Sequence, residues 1–203
     1  MPDWLFTAAF SLGSTPTTWL EIAAVALALG MVACNIREIH WGWPLAAASS
    51  VLYLLLFTHS GLYGEAALQV FFAFIALWGW WQWLRGAPDG QPLAVRRLGG
   101  RTRAGILLLG FGAWMAVGGF LDRFTDSELP WADALPTALS VIGQILLGRK
   151  LIENWPVWLV VNVFSTGLFA WKALWLTAGL YALFAALSVL GWVVWRRAVR
   201  SGV

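Results

Sequence analysis

Trp43-Pro44 returns 112 positions later as Trp155-Pro156, and the residues around the pair return in the same register. Trp19 falls on Trp131, Arg37 on Arg149, Leu62 on Leu174, Leu68 on Leu180 and Phe72 on Phe184. Gly79-Trp80 with Trp83 falls on Gly191-Trp192 with Trp195, and no gap is needed between Trp19 and Trp83. Tryptophan and proline are uncommon, so this register marks a module of about 65 residues present twice. A duplicated apolar module is the usual sequence sign of a transporter whose binding site lies between the repeats.

The 203 residues are 60% hydrophobic and 11% charged, with a mean hydropathy of +0.73. A soluble domain carries about 25% charged residues, so this chain lacks the polar groups to cover a water-facing surface and reads as a polytopic membrane protein. Cys34 is the only cysteine, which excludes an internal disulfide and a cysteine-based metal site. Residues 1–18 lack the basic start of a signal peptide and are too short to span. Their Trp4, Phe6 and Phe10 predict an interfacial segment, a short helix lying flat.

A bilayer core needs roughly 20 helical residues per crossing. Candidate spans are 19–36, 43–58, 62–84, 105–121, 131–147, 155–171 and 173–195. The expected fold is all-α integral membrane, seven transmembrane helices arranged as a 3+1+3 parallel repeat. The single helix has a physical reason: a three-span unit ends on the opposite side of the membrane, and one extra crossing lets the second copy insert in the same orientation. The expected division is an interfacial segment (1–18), a first three-helix bundle (19–84), a basic loop plus linker helix (85–130), a second bundle (131–195) and a tail (196–203).

Charge sets the direction. Arg37, Arg85, Arg96, Arg97, Arg101, Arg103, Arg149, Lys150, Arg196, Arg197 and Arg200 fall on one side, and only Arg123 and Lys172 on the other. The positive-inside rule makes the first side cytoplasmic, with the N-terminus outside and the C-terminus inside. The acidic residues Asp122, Asp126, Glu128 and Asp133 fall outside. The basic stretch 85–103 then lies beside anionic lipid, and its charge implies no nucleic acid. Tryptophans crowd the span ends, at Trp19, Trp43, Trp80, Trp83, Trp131, Trp155, Trp171 and Trp195, where interfacial anchoring explains most of them.

Polar side chains inside spans are costly and are candidates for function. Gln69 lies about 10 Å into the third span at 1.5 Å per residue, Asn162 a similar distance into the sixth from the other face, and Gln144 of the fifth span also falls near the middle. Their paired donors and acceptors suit a carboxamide or ring amide; interhelical hydrogen bonding is the competing role. Glu65 shares a helix face with Gln69 and would attract a cation. Ser49, Ser50, Ser140, Ser165 and Thr166 can instead bond back to their own helices. No phosphate loop and no Ser-His-Asp set occurs, and His40 and His59 fall on opposite sides of the membrane. No enzyme, metal or cofactor is expected.

Glu153-Asn154-Trp155-Pro156-Val157-Trp158, with Asn162 following, resembles the E-N-W-x-x-W-x-x-x-N stretch of the PnuC-type vitamin transporters. Leu62-Tyr63, Leu68-Gln69-Val70-Phe71-Phe72 and Gly79-Trp80 are similar to that family's L-Y-x-x-x-x-L-Q-x-F-F and Y-G-W segments, with Trp78 replacing the tyrosine. The resemblance implies a SWEET-like homotrimer in the bacterial inner membrane that facilitates uptake of nicotinamide riboside by rocking one three-helix bundle against the other, with trapping by a cytoplasmic kinase. It makes Gln69 and Asn162 polar contacts and Trp158, Phe72 and Tyr63 aromatic or lining contacts; Gln144, Glu65 and Trp155 complete the candidate set. Trp158 is favoured because it shares a helix face with Asn162. Relatives take up thiamin or riboflavin. Asn162 matches the nicotinamide-riboside-type pattern, whereas Ser49-Ser50 stand where some members carry an asparagine. The reading from a different class is a non-transporting membrane scaffold or sensor.

Overall fold

The computed structural model describes residues 8–12, 15–59, 63–87, 90–125, 128–171 and 175–201. Of the residues singled out above, Leu62, Asp126, Lys172 and Leu174 lie outside these, as do residues 1–7 and the side chains of Tyr63 and Glu65. Among the described residues, seven helices follow a two-stranded hairpin: α1 Trp19–Ile36, α2 Gly42–His59, α3 Tyr63–Arg85, α4 Gly100–Phe124, α5 Pro130–Gly148, α6 Asn154–Trp171 and α7 Trp175–Ser201. Five of them, all but α3 and α6, are both long and apolar enough to cross a membrane. The other two are of similar length, but each mixes an amide, Gln69 or Asn162, with several tryptophans.

The flat helix expected near the N-terminus is corrected by the hairpin: β1 (Ala8–Leu12) pairs antiparallel with β2 (Thr15–Thr18), Leu12 opposite Thr15. Thr15, Thr17 and Thr18 are β-branched and Pro16 has no N–H, so the segment favours extended backbone. Thr18 then starts α1 by accepting the Glu21 N–H on its hydroxyl at 3.2 Å. Helices α4 and α7 run beyond the expected 105–121 and 173–195. Arg101, Arg103, Arg196, Arg197 and Arg200 are good helix formers, so they prolong these helices past their apolar cores.

Local geometry recurs at the 112-residue offset. Helices α2 and α6 have the same bounds in that register. Helices α1 and α5 end on Arg37 and Arg149, followed by left-handed Glu38 (φ 57°) and Lys150 (φ 50°). The Ile39 N–H donates to Cys34 O and the Glu38 N–H to Asn35 O; the Leu151 N–H donates to Leu146 O and the Lys150 N–H to Leu147 O. Both turns are the same two-bond C-terminal helix cap, built without the usual glycine.

The chain divides into two compact units, Met1–Pro92 and Leu93–Val203. In the first, α2 packs on both α1 and α3, and the Ser49 hydroxyl donates to Ala24 O at 3.0 Å. A Cβ on Gly79 would collide with the Trp43 indole, which also meets Trp83 edge-on at 5.6 Å. In the second unit, α4 packs on α5, α5 on α6 and α6 on α7. A Cβ on Gly191 would collide with the Trp155 indole, and Trp155 meets Trp195 edge-on at 5.4 Å. Trp43, Trp83, Trp155 and Trp195 are 1%, 8%, 3% and 0% exposed. Their expected role as interfacial anchors is therefore corrected: a missing side chain on the neighbouring helix admits each ring of the Trp43 and Trp155 pair to the backbone. Trp19 and Trp171 are 50% and 65% exposed and fit the anchor role.

Residues 93–99 form a strap on the second unit. Arg96 bridges the α5–α6 turn, donating its N–H to Lys150 O and accepting from the Ile152 N–H, both at 3.0 Å. Val95 is buried. Helix α4 continues from this strap and lies with Gly118 under the Trp131 ring, where the Trp114 indole N–H donates to Trp131 O at 2.8 Å. Its other face, including Leu107, Leu108 and Phe111, is open. Everything from Leu93 onward belongs to the second unit.

Candidate functional site

Polar groups of the second unit converge along α6. Asn162 is the ninth of eighteen residues of α6, at mid-helix, and is buried. Its Nδ2 donates to the Ser188 hydroxyl on α7 at 3.1 Å, and that hydroxyl donates in turn to Phe184 O at 2.8 Å. Thr166, one turn on, donates to Asn162 O at 2.7 Å. Asn162 therefore ties α6 to α7, as the competing interhelical reading requires.

One turn before Asn162, Trp158 crosses to α5. Its Cε2 lies 3.0 Å and its Nε1 3.1 Å from where a Cβ on Gly143 would stand. The indole thus rests close against α5 at Gly143, where an added Cβ would make a tight contact with the ring. Next to Gly143 is Gln144, 7% exposed, whose buried Oε1 has no hydrogen-bond partner among the described residues. Leaving a buried acceptor unmet costs about 1–3 kcal/mol, which makes this oxygen a natural receiver for a ligand N–H. One expected placement is corrected here. Gln144 is not near the middle of its helix but about one turn before the C-terminal end at Gly148, a place that the bounds 131–147 expected for this span already imply.

Within the first unit, Gln69 and Phe72 lie on α3, both half-buried, and Phe72 meets Phe71 edge-on at 5.9 Å. Tyr63 and Glu65 belong to the first turn of that helix. Trp155 sits in the core beside Gly191 and Trp195, with its indole N–H buried and unpartnered among the described residues. Its surroundings are those of a packing residue. The structure thus brings Trp158, Gln144 and Asn162 onto two adjacent helices, and adds Gly143 and Ser188, which the sequence reading passed over. The signal for Ser188 was available: it lies 26 residues after Asn162 within one module, whereas the first module has Ser50 and Ala76 at those positions. Trp158, Gln144 and Gly143 likewise correspond to Ala46, Val32 and Met31. These positions therefore carry an amide or an indole in the second copy only. A groove of about 570 Å³ at the C-terminal end of α4, lined by Met115, Phe120, Phe124 and Trp131, contains none of these residues.

Residues 18–197 match the sequence pattern of the nicotinamide mononucleotide transporter family. The chain belongs to that family. Its relatives include the riboflavin/roseoflavin transporter RibM of Streptomyces davaonensis, 27% identical over 95% of this chain and 92% of that protein. The nicotinamide riboside transporter PnuC of Escherichia coli is 22% identical over 93% of this chain and 90% of that protein. The crystal structure of the vitamin B3 transporter PnuC superposes with a TM-score of 0.73 at 22% identity, covering 90% of this chain and 83% of that one. The protein is a multi-pass membrane transporter of the PnuC family, and the relatives it resembles are transporters rather than enzymes.

Proposed function

We propose that this PnuC-family protein facilitates uptake of nicotinamide riboside across the bacterial inner membrane. The observations that carry the ligand chemistry are the buried, unmet Gln144 Oε1 on α5 and the Trp158 ring packed at the preceding residue, Gly143. Nicotinamide offers a flat cationic ring and a carboxamide N–H. The ring suits an indole face, worth about 0.5–2 kcal/mol, and the N–H suits the orphan oxygen. Asn162 completes the proposed contacts on α5 and α6, and Gln69, Phe72, Tyr63 and Glu65 of α3 are proposed as contacts on the resemblance to the family alone. A second reading, riboflavin, is favoured by the 27% identity to RibM; a flavin offers a flat ring and an imide N–H to the same two groups. Calorimetric titration of the purified protein with nicotinamide riboside, riboflavin and thiamin tests this. Saturable heat with nicotinamide riboside alone is expected; heat with riboflavin alone transfers the proposal to the flavin, and thiamin binding alone contradicts both.

The recurring helix bounds and turns support a 3+1+3 parallel, SWEET-like plan in which transport proceeds by rocking one three-helix bundle against the other. The resemblance further implies a homotrimer. In the proposed orientation the C-terminus and the 93–99 strap are cytoplasmic, from the eleven-to-two division of the 13 basic residues. A green fluorescent protein fused to the C-terminus should therefore fluoresce and an alkaline phosphatase fused there should be inactive. The reverse pattern would overturn the orientation.

A further inference from the structure

The Glu153-Asn154-Trp155 motif contains one residue that the proposed site does not use. Glu153 immediately precedes α6, and the carboxylate is partly buried, at 18% exposed. Both of its oxygens accept the Leu98 N–H at 3.2 Å, and Oε1 also accepts from Arg103 Nε at 3.1 Å and pairs with the second guanidinium nitrogen at 2.9 Å. Leu98 ends the strap and Arg103 lies in the first turn of α4. One carboxylate therefore holds the strap and the start of α4 to the entry of α6, across 50 or more residues of chain. An acid ahead of a helix also gains from the helix dipole. That gain accounts for a carboxylate at this place but not for its oxygens being turned onto Leu98 and Arg103.

The clamp is specific to the second copy. The position 112 residues earlier is Trp41, which is exposed and belongs to the equivalent turn of the first unit. Helix α6 also carries Trp158 and Asn162, so the clamp couples the strap and α4 to the helix that bears the proposed contacts. We propose that Glu153 is a positioning residue for transport: it locks α4, through the strap, to α6, so that α4 and the second bundle change conformation as one body. This rests on the transport reading. The carboxylate touches no substrate; it governs the rate of the conformational step and leaves affinity alone.

The test compares Glu153→Ala, Glu153→Gln and Arg103→Ala with the unmodified protein in proteoliposomes at equal incorporation, using labelled nicotinamide riboside, or riboflavin if that is the vitamin the unmodified protein takes up. Glu153→Ala should lower uptake at saturation about fivefold or more while the calorimetric Kd stays within about twofold, since the hydrogen bonds to a charged group that are lost join the strap and α4 to α6 and touch no substrate. Glu153→Gln keeps an oxygen for the Leu98 N–H but no charge for Arg103, so it should fall between, and Arg103→Ala should match it. Normal uptake by Glu153→Ala, or uptake and affinity falling together, overturns the proposal. Should Glu153→Ala fail to fold, Arg103→Ala decides alone, because Arg103 is half exposed. Failure of the unmodified protein to bind either vitamin would sink the transport reading itself, and is told apart by appearing before any substitution.

Discussion

Gly191→Ala is expected to destabilise the folded protein by about 1–3 kcal/mol, read as a lower thermal midpoint and a smaller monodisperse fraction in detergent. A Cβ there would stand within 2.6 Å of three Trp155 ring atoms. The ring has no free direction, because Trp195 meets it at 90° from 5.4 Å. Between membrane helices, close packing replaces the hydrophobic effect as the main attraction, so the loss cannot be recovered by burying more surface. Gly79→Ala should behave alike, since its Cβ would strike Trp43. Gly112→Ala, on the open face of α4 with nothing within 4 Å, is the control and should change nothing. Equal behaviour of Gly191→Ala and Gly112→Ala would show that the indole–glycine packing is misassigned.

Gln144→Leu is expected to weaken vitamin binding by roughly 5- to 150-fold, the cost of leaving the ligand N–H unpaired in a dry site. The same change removes a buried acceptor that has no partner among the described residues, so thermal stability should hold or rise. That opposite movement of affinity and stability is the diagnostic, because a side chain that merely glued helices would lose both. Trp158→Ala should weaken binding by roughly 2- to 30-fold through lost stacking, with Trp171→Ala, at 65% exposure, as the tryptophan control. Asn162→Leu also breaks the bond to Ser188, so it should lower affinity and stability together and discriminates less. Unchanged affinity in both Gln144→Leu and Trp158→Ala would remove the proposed site from α5 and α6.

The helices were legible in the sequence because apolar runs of membrane length leave few alternatives, and Trp19–Ile36 is where it was expected. The hairpin before α1 was not, since aromatic residues near a terminus suit a surface helix as well as a strand, and Pro16 was given no weight. Nor was the burial of Trp43 and Trp155. Tryptophan near a span end ordinarily anchors at the interface, and the contrary signal lay in Gly79 and Gly191, far away in sequence. Asn162 and Trp158 could be singled out together in the sequence because one turn separates them on a single helix. Gly143 and Glu153 were missed because what they do depends on contacts across helices, which no local spacing reveals.

Uptake of labelled vitamin into proteoliposomes holding only the purified protein tests the central claim most directly. Saturable accumulation of nicotinamide riboside above empty liposomes, competed by unlabelled nicotinamide riboside and reduced in Gln144→Leu, is the predicted result. Liposomes that take up no nicotinamide riboside, while thiamin or riboflavin enters saturably, would contradict the assigned substrate, and entry of none of the three would contradict vitamin transport by this chain.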